Sequence, residues 1–217
     1  MPSAAPLDAP KPKIVSADEY AKARDELLKA EKEATRLLDR VAAQRRRLPM
    51  VQFDSSYTFK GPEGDKTLLE LFGDDTQLAL YQFMDLGPGK ICPGCEHMGD
   101  SIPEFALKQL HDRGINFVFA SNMPLEQIEE CKKEHGWKMP FYSSRGTKFT
   151  DDCGCKYFML SMFVRDAHGN VYRTYSTTQR GVDRIVFSNN IEDLAAYGRQ
   201  EEWEDSPEGW PQHPTYG

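Results

Sequence analysis

The feature that most constrains this chain is Cys92-Pro93-Gly94-Cys95, set between an apolar run and an amphipathic one. QLALYQFM, residues 77–84, has the length and uniform apolarity of a strand buried on both faces. DLGPGK reads as a loop. The segment from about 93 to 112 has helical character; Pro103 kinks it or starts a second helical piece, and Gly114 is placed to cap it. INFVFAS, residues 115–121, is a second buried strand. PLEQIEECKKEHG, residues 124–136, is a helix with Pro in its first turn and Gly after its last. MPFYSS is a short extended segment, and FTDDCGCKYF a loop or half-turn. KYFMLSMFVRD and NVYRTYST form a hairpin about Asp166 to Asn170, and NIEDLAAYG is a terminal helix. Alternating strands and helices require parallel pairing through crossovers, and the hairpin adds antiparallel strands. The expected fold class is α/β: a central mixed sheet flanked by helices, with an added long N-terminal helix. A Cys-x-x-Cys that follows a strand and opens a helix is the cue for a thioredoxin-like version of that sheet.

Ahead of this core, residues 16 to about 47 read as one long helix. Ser16 and Glu19 have capping-box spacing. Tyr20, Ala23, Leu27, Ala30, Ala34, Leu37 and Val41 recur on one face, the other face is charged, and Pro49 ends the helix. YTFKGPEGDKTLLELF reads as two short strands about a turn, then a one-turn helix at residues 68–71. The expected organisation is a flexible arm at 1–13, a helix at 14–48 packed on the domain, a thioredoxin-like domain at 49–205 and an irregular tail at 206–217. The helix stripe could instead serve a homodimer.

Charge and cysteine usage narrow the function. The net charge of −7 argues against a general nucleic-acid binder, which would carry a basic face. No apolar run is long enough to span a bilayer, and the first residues lack a signal-peptide core, so the expected location is the cytoplasm. There thiols stay reduced, and five cysteines do not make a structural disulfide framework. Four of them form two tight pairs, Cys92/Cys95 and Cys153/Cys155, which points to redox chemistry or metal binding.

A thiol at a helix N-terminus meets unpaired backbone N–H groups and the positive end of the helix dipole, both of which favour thiolate. On that reading Cys92 is the attacking thiolate, Cys95 the resolving thiol, the substrate a small molecule or a thiol, and no cofactor is needed. The alternative is a copper or zinc protein, including a copper-dependent oxidase or oxygenase, with Cys92, Cys95, His97, Cys153 and Cys155 as ligands. A third reading makes Cys153 and Cys155 a relay that exchanges with Cys92. A non-enzymatic partner-binding domain that uses the N-terminal helix and aromatic tail is a further class. Asp85 is either a proton acceptor for Cys95 or a turn residue. Cys131 reads as an inert packing thiol, and Tyr81, Phe83, Phe117 and Phe119 as core. His111 and His135 fall at helix C-termini, His168 in the hairpin turn, and Arg165 and Arg173 on the hairpin.

Several stretches together resemble a known family. They are EEATRLLDRVAAQRRRLPMV, YTFKGPEGDKTLLELF, LALYQFM, CPGC, GINFVFASNMPLEQIEECKKEHGW, FVRDAHGNVYRTYSTTQRGVD and DSPEGWPQ. The family is the thioredoxin-like one known as domain of unknown function 899, distantly similar to peroxiredoxins. The resemblance runs from about residue 14 and implies a thioredoxin-like fold with its chemistry largely unassigned. This chain departs from the family pattern twice. Glu96-His97-Met98 follows the first pair in place of an aromatic residue, and Asp152-Cys153-Gly154-Cys155 stands where the family carries Asp-Phe-Gly. Both changes add metal-ligand types.

Overall fold

A computed structural model describes residues 4–213; the ends of the expected arm and tail, 1–3 and 214–217, lie outside the described residues. Contacts divide the chain into two compact units, one formed by Pro49–Asn190 and the other by the N-terminal segment through Leu48 together with the segment from Ile191. The stretch 191–205 therefore clusters with the N-terminal segment and not with the sheet.

In the first of these units the order is β1 (Val51–Phe53), β2 (Thr58–Phe59), β3 (Lys66–Thr67), a 3-10 turn at Glu70–Phe72, and β4 (Gln77–Phe83). Helix α1 (Ala17–Arg45) precedes them in sequence and belongs to the other unit. Then come α2 (Pro93–Asp100), α3 (Glu104–His111), β5 (Ile115–Ser121), α4 (Leu125–His135), β6 (Phe141–Ser143) and α5 (Phe149–Asp152). The hairpin β7 (Met159–Arg165) and β8 (Val171–Thr177), a 3-10 stretch at Gln179–Ile185 and α6 (Phe187–Glu192) complete the series.

Six strands form one sheet in the order β1-β8-β7-β4-β5-β6. β4 is its hub, parallel to β5 and antiparallel to β7. β6 extends the parallel side, while β8 and β1 extend the antiparallel side. A parallel half joined through helices, an antiparallel hairpin against the hub strand, and Cys92 at the end of the loop that leaves the hub make this a thioredoxin-like sheet. The small β2–β3 ladder stands apart.

Each face of β4 has its own core, as a two-residue side-chain period requires. Ala79, Tyr81 and Phe83 join a cluster with Cys92, Cys95, Met98, Phe119, Trp137 and Phe141. Leu78 and Leu80 join a second cluster with Phe59, Phe72, Phe149, Cys153 and Phe163. Aromatic edges fill both, for example Phe119 against Phe141 at 5.4 Å and Phe59 against Phe149 at 4.9 Å between ring centroids.

The expected long helical segment is two helices, with Pro103 at the start of the second. β5 and α4 match expectation, and Gly136 adopts the left-handed conformation that ends α4. Val51–Phe53, to which the sequence pattern assigned no element, forms an edge strand on β8. One expectation needs correction: the terminal helix runs over Phe187–Glu192, earlier than NIEDLAAYG suggested. The Asn190 carboxamide donates to the carbonyls of Arg184 and Val186 (3.2 and 2.6 Å), a side-chain competitor for the backbone ladder.

In the other unit, Ser16 and Glu19 make both halves of the α1 capping box. No residue of α1 is buried, and Tyr20, Leu27 and Leu37 are exposed. Among the described residues no helix is long and apolar enough to cross a membrane.

Helix α2 is seated by a glycine. A Cβ on Gly99 would lie 2.4 Å from the Trp137 ring, so the indole packs on bare backbone. Gly94, in the first turn of the same helix, has nothing within 4 Å of its own Cβ position. Gly99→Ala is therefore expected to destabilise by about 1–3 kcal/mol through overpacking, despite its better helix propensity. Gly94→Ala is expected to stay within about 0.5 kcal/mol. Urea unfolding of the two variants against the native protein measures both.

Candidate active site

The buried strand end Tyr81–Phe83 delivers the chain to the loop Asp85–Ile91, whose two ends pair with each other. Asp85 accepts from the Gly87 N–H at 2.8 Å, as a turn residue does. Cys92 is then the N-cap of α2, with extended backbone and Pro93 in the first helical turn. Its carbonyl accepts the first helical bond from the Glu96 N–H at 2.9 Å.

The two sulfurs have different surroundings. At the N-cap of α2 the Cys92 thiolate is favoured by the Cys95 thiol and by the backbone N–H groups of Cys95 and Gly94. These donors hold the Cys92 thiol below its ordinary value, against the opposing effects of burial and of the Glu96 charge. Cys95 is pushed up, first because its proton is engaged by Cys92 and then by burial. The Tyr81 hydroxyl (3.5 Å) and the Met84 N–H (3.4 Å) both donate to the Cys95 sulfur. Tyr81 is itself raised by burial and by the neighbouring sulfurs, so it stays a donor. The sequence marked Tyr81 as plain core; a tyrosine in an otherwise apolar strand is the signal that could have singled it out, because a buried hydroxyl needs a partner.

The remaining candidates are not gathered around this pair. Cys153 belongs to the cluster on the opposite sheet face, and Cys155 packs against that same cluster. Burial raises both, to about 12 and about 11, and the Arg173 cation only partly offsets it at Cys153. Arg173 donates to the Cys153 carbonyl at 2.8 Å and lies over the Phe53 ring. The His97 Nε2 lies 3.0 Å from both the Asn189 Oδ1 and the Ser188 Oγ. Of the expected five-residue copper or zinc set, Cys92 and Cys95 share one core cluster and Cys153 lies in the cluster on the other face, while Cys155 packs at the margin of that second cluster and is near enough to Tyr81 to act on it. Among the described residues, the one group of three or more potential ligand residues within mutual reach is Glu96, Asp100 and His135. The His135 ring bridges Asp100 (Nδ1, 3.0 Å) and Glu96 (Nε2, 3.3 Å) and stacks on Trp137. Trp137 Nε1 also donates to Asp100, which ties the end of α4 to α2. Cys131 is buried and raised to about 11, chiefly by burial, as an inert packing thiol would be.

The model of the family described as bacterial protein of unknown function (DUF899) matches residues 9–216. The chain belongs to that family. No curated protein matches it. Among solved structures, this DUF899 member is similar to a hypothetical protein from Sinorhizobium meliloti 1021 at 17% identity and TM-score 0.39, over 56% of this chain and 64% of that one. It is similar to a peroxiredoxin Q from Xanthomonas campestris at 12% identity and TM-score 0.47, over 65% and 95%. It is also similar to peroxidoxin BcpB from Mycobacterium tuberculosis at 16% identity and TM-score 0.44, over 64% and 95%. The fold assignment rests on the strand order and the placement of Cys92.

These shifts fix a pH dependence. The folded value of Cys92 lies below the unfolded thiol value of about 8.5, so its contribution to stability is full above that value and is lost as pH falls through the folded one. Cys95 works in the other direction: the folded state keeps its proton, so stability declines as pH rises past about 8.5. Iodoacetamide labelling followed by peptide mass spectrometry is expected to place the Cys92 midpoint below about 8.5. Cys95→Ala removes the thiol that donates to the Cys92 sulfur and is expected to move the Cys92 midpoint up; an unchanged midpoint would contradict the assignment.

Proposed function

We propose that this protein is a thiol–disulfide oxidoreductase in which Cys92 is the nucleophile and Cys95 the resolving thiol. The observation that carries the reading is the asymmetry of the pair: Cys92 is the N-cap of α2, while the Cys95 sulfur three residues on is buried and held by the Tyr81 hydroxyl and the Met84 N–H. A low thiol pKa at a helix N-cap with a second thiol three residues on is the arrangement such exchange needs.

The Cys92 thiolate attacks one sulfur of a substrate disulfide. A mixed disulfide forms, and the other substrate sulfur leaves as thiolate. With Cys92 now bonded and uncharged, the main influence that holds the Cys95 proton is gone, and Cys95 becomes easier to ionise. The Tyr81 hydroxyl and the Met84 N–H stabilise the charge that develops on Cys95. Cys95 attacks the Cys92 sulfur and expels the second substrate thiolate. Two electrons pass to the substrate, both thiol protons end on its sulfurs or in solvent, and Cys92–Cys95 is left as a disulfide.

The test is turnover of a low-molecular-weight disulfide with dithiothreitol as the terminal reductant. Protein purified without a metal-affinity tag is used, with elemental analysis on the same sample. Cys92→Ser is expected to abolish turnover. Cys95→Ser is expected to stop it after one event and leave a trapped mixed disulfide on Cys92. Tyr81→Phe is expected to slow resolution about 10-fold, the effect of losing roughly one hydrogen bond of 1–1.5 kcal/mol. Copper or zinc near one equivalent, with the thiols unreactive until a chelator is added, would overturn the reading.

A further inference from the structure

Helix α1 carries a pattern that the thiol chemistry does not use. Its apolar residues from Tyr20 to Val41 recur at alternating steps of three and four, a strict seven-residue repeat. A helix packed on a globular core follows the 3.6-residue period of the helix itself. A sustained 3.5-residue period is the seam of a helix that winds on another helix. Here the seam is open. Tyr20, Leu27 and Leu37 are 63%, 55% and 52% exposed. Ala23, Ala30 and Ala34 between them are exposed as well, and Val41 at the end is half-buried. Arg24, Leu28, Glu31 and Leu38 on the adjoining stripe are half-buried, so the cover that α1 receives falls beside the seam.

The charges along the other edge of the seam select its occupant. That edge reads Glu19, Glu26, Glu33 and Arg40, with Arg47 just past the helix end: acidic at the start and basic at the finish. In an antiparallel pair of such helices this edge faces its own counterpart. Setting Leu27 against Leu37 of a second copy also sets Ala30 against Ala34 and Ala23 against Val41, so the whole seam closes in one register. The same register brings Glu26 to Arg40 of the second copy and Glu19 toward its Arg47, and two-fold symmetry makes each pairing twice. Glu33 meets its own counterpart near the axis, a like-charged contact. Glu31, across the seam, has its counter-charge in Arg24 of its own helix at 2.8 Å. A parallel pair would instead set Glu26 against Glu31 and Arg40 against Arg45, so the same charges oppose it. Glu26 meets Lys29 within its own helix at 2.6 Å, an exposed contact that costs little to exchange.

We infer that α1 is a self-association surface whose occupant is α1 of a second copy of this chain, antiparallel, with the two-fold axis between Ala30 and Ala34. The surface stands independently of the redox reading, because none of its residues belongs to the cluster that holds Cys92 and Cys95.

Sedimentation equilibrium of the full chain tests it, with dithiothreitol present so that no intermolecular disulfide contributes. The native protein is expected to show a reversible monomer–dimer equilibrium. Leu27→Glu puts a charge into the seam at an exposed position and is expected to give a monomer with native circular dichroism and native disulfide turnover. Glu26→Arg and Arg40→Glu each turn two attractions into repulsions and are expected to weaken the dimer about 10-fold or more. An equimolar mixture of those two variants restores opposite charges at both pairings and is expected to recover the native affinity. Glu33→Gln removes the like-charged contact at the axis and is expected to tighten the dimer. A native protein that stays monomeric at every accessible concentration overturns the inference, and that result needs no variant to fold. A dimer that Leu27→Glu leaves intact, or a mixture no tighter than its two components, overturns it equally.

Discussion

The structure depends on the pairing of β4 with a parallel neighbour on one side and an antiparallel one on the other. Every residue of β4 after Gln77 is buried, so the strand has no solvent face to relax toward. Its seven-residue ladder with β5 and six-residue ladder with β7 fix its register, and a slip of one residue would exchange the two cores. That register puts Tyr81 under Cys95 and Gln82 on the reverse face. It also sets where the chain leaves the sheet, and hence where Cys92 can cap a helix.

The second requirement is that α2 be held down while its first residue stays reactive. Gly99 lets the Trp137 ring approach the helix backbone, and Asp100 accepts from both Trp137 and His135. These contacts grip the later turns of α2. The first turn is left to its own backbone N–H groups, of which those of Cys95 and Gly94 favour the Cys92 thiolate. A helix anchored at one end and open at the other concentrates its unsatisfied donors at the thiol.

Much of the sheet was legible because buried strands write themselves as long apolar runs. β5 falls on INFVFAS without adjustment, and β4 on all but the last residue of QLALYQFM. Three-residue β1 was not legible, since so short an edge carries no period of its own and exists only because β8 offers it a ladder. At the site, the Cys92/Cys95 spacing was readable locally, whereas Asp85 stood open between proton acceptor and turn residue until its bond from the Gly87 N–H placed it in a turn. What spacing could not give was the face on which a distant loop lands. Cys153 and Cys155 looked like partners for Cys92, but the path from β6 through α5 places Cys153 in the core across the sheet, with Cys155 at the margin of that core and near Tyr81. Tyr81 and Gln82 were hidden for the same reason. Within one apolar run, only the pleat separates a residue that touches a thiol from one on the reverse face of the sheet.

The central claim is that Cys92 and Cys95 form one reversible redox couple. Its most direct test is equilibration of the native protein in glutathione buffers of graded potential, with acid quenching and mass-spectrometric mapping of the disulfide. The account predicts a single two-electron transition whose oxidised product is the Cys92–Cys95 bridge, with Cys131, Cys153 and Cys155 remaining thiols throughout. No Cys92–Cys95 bridge at any potential, or a first-formed bridge between Cys153 and Cys155, would contradict it.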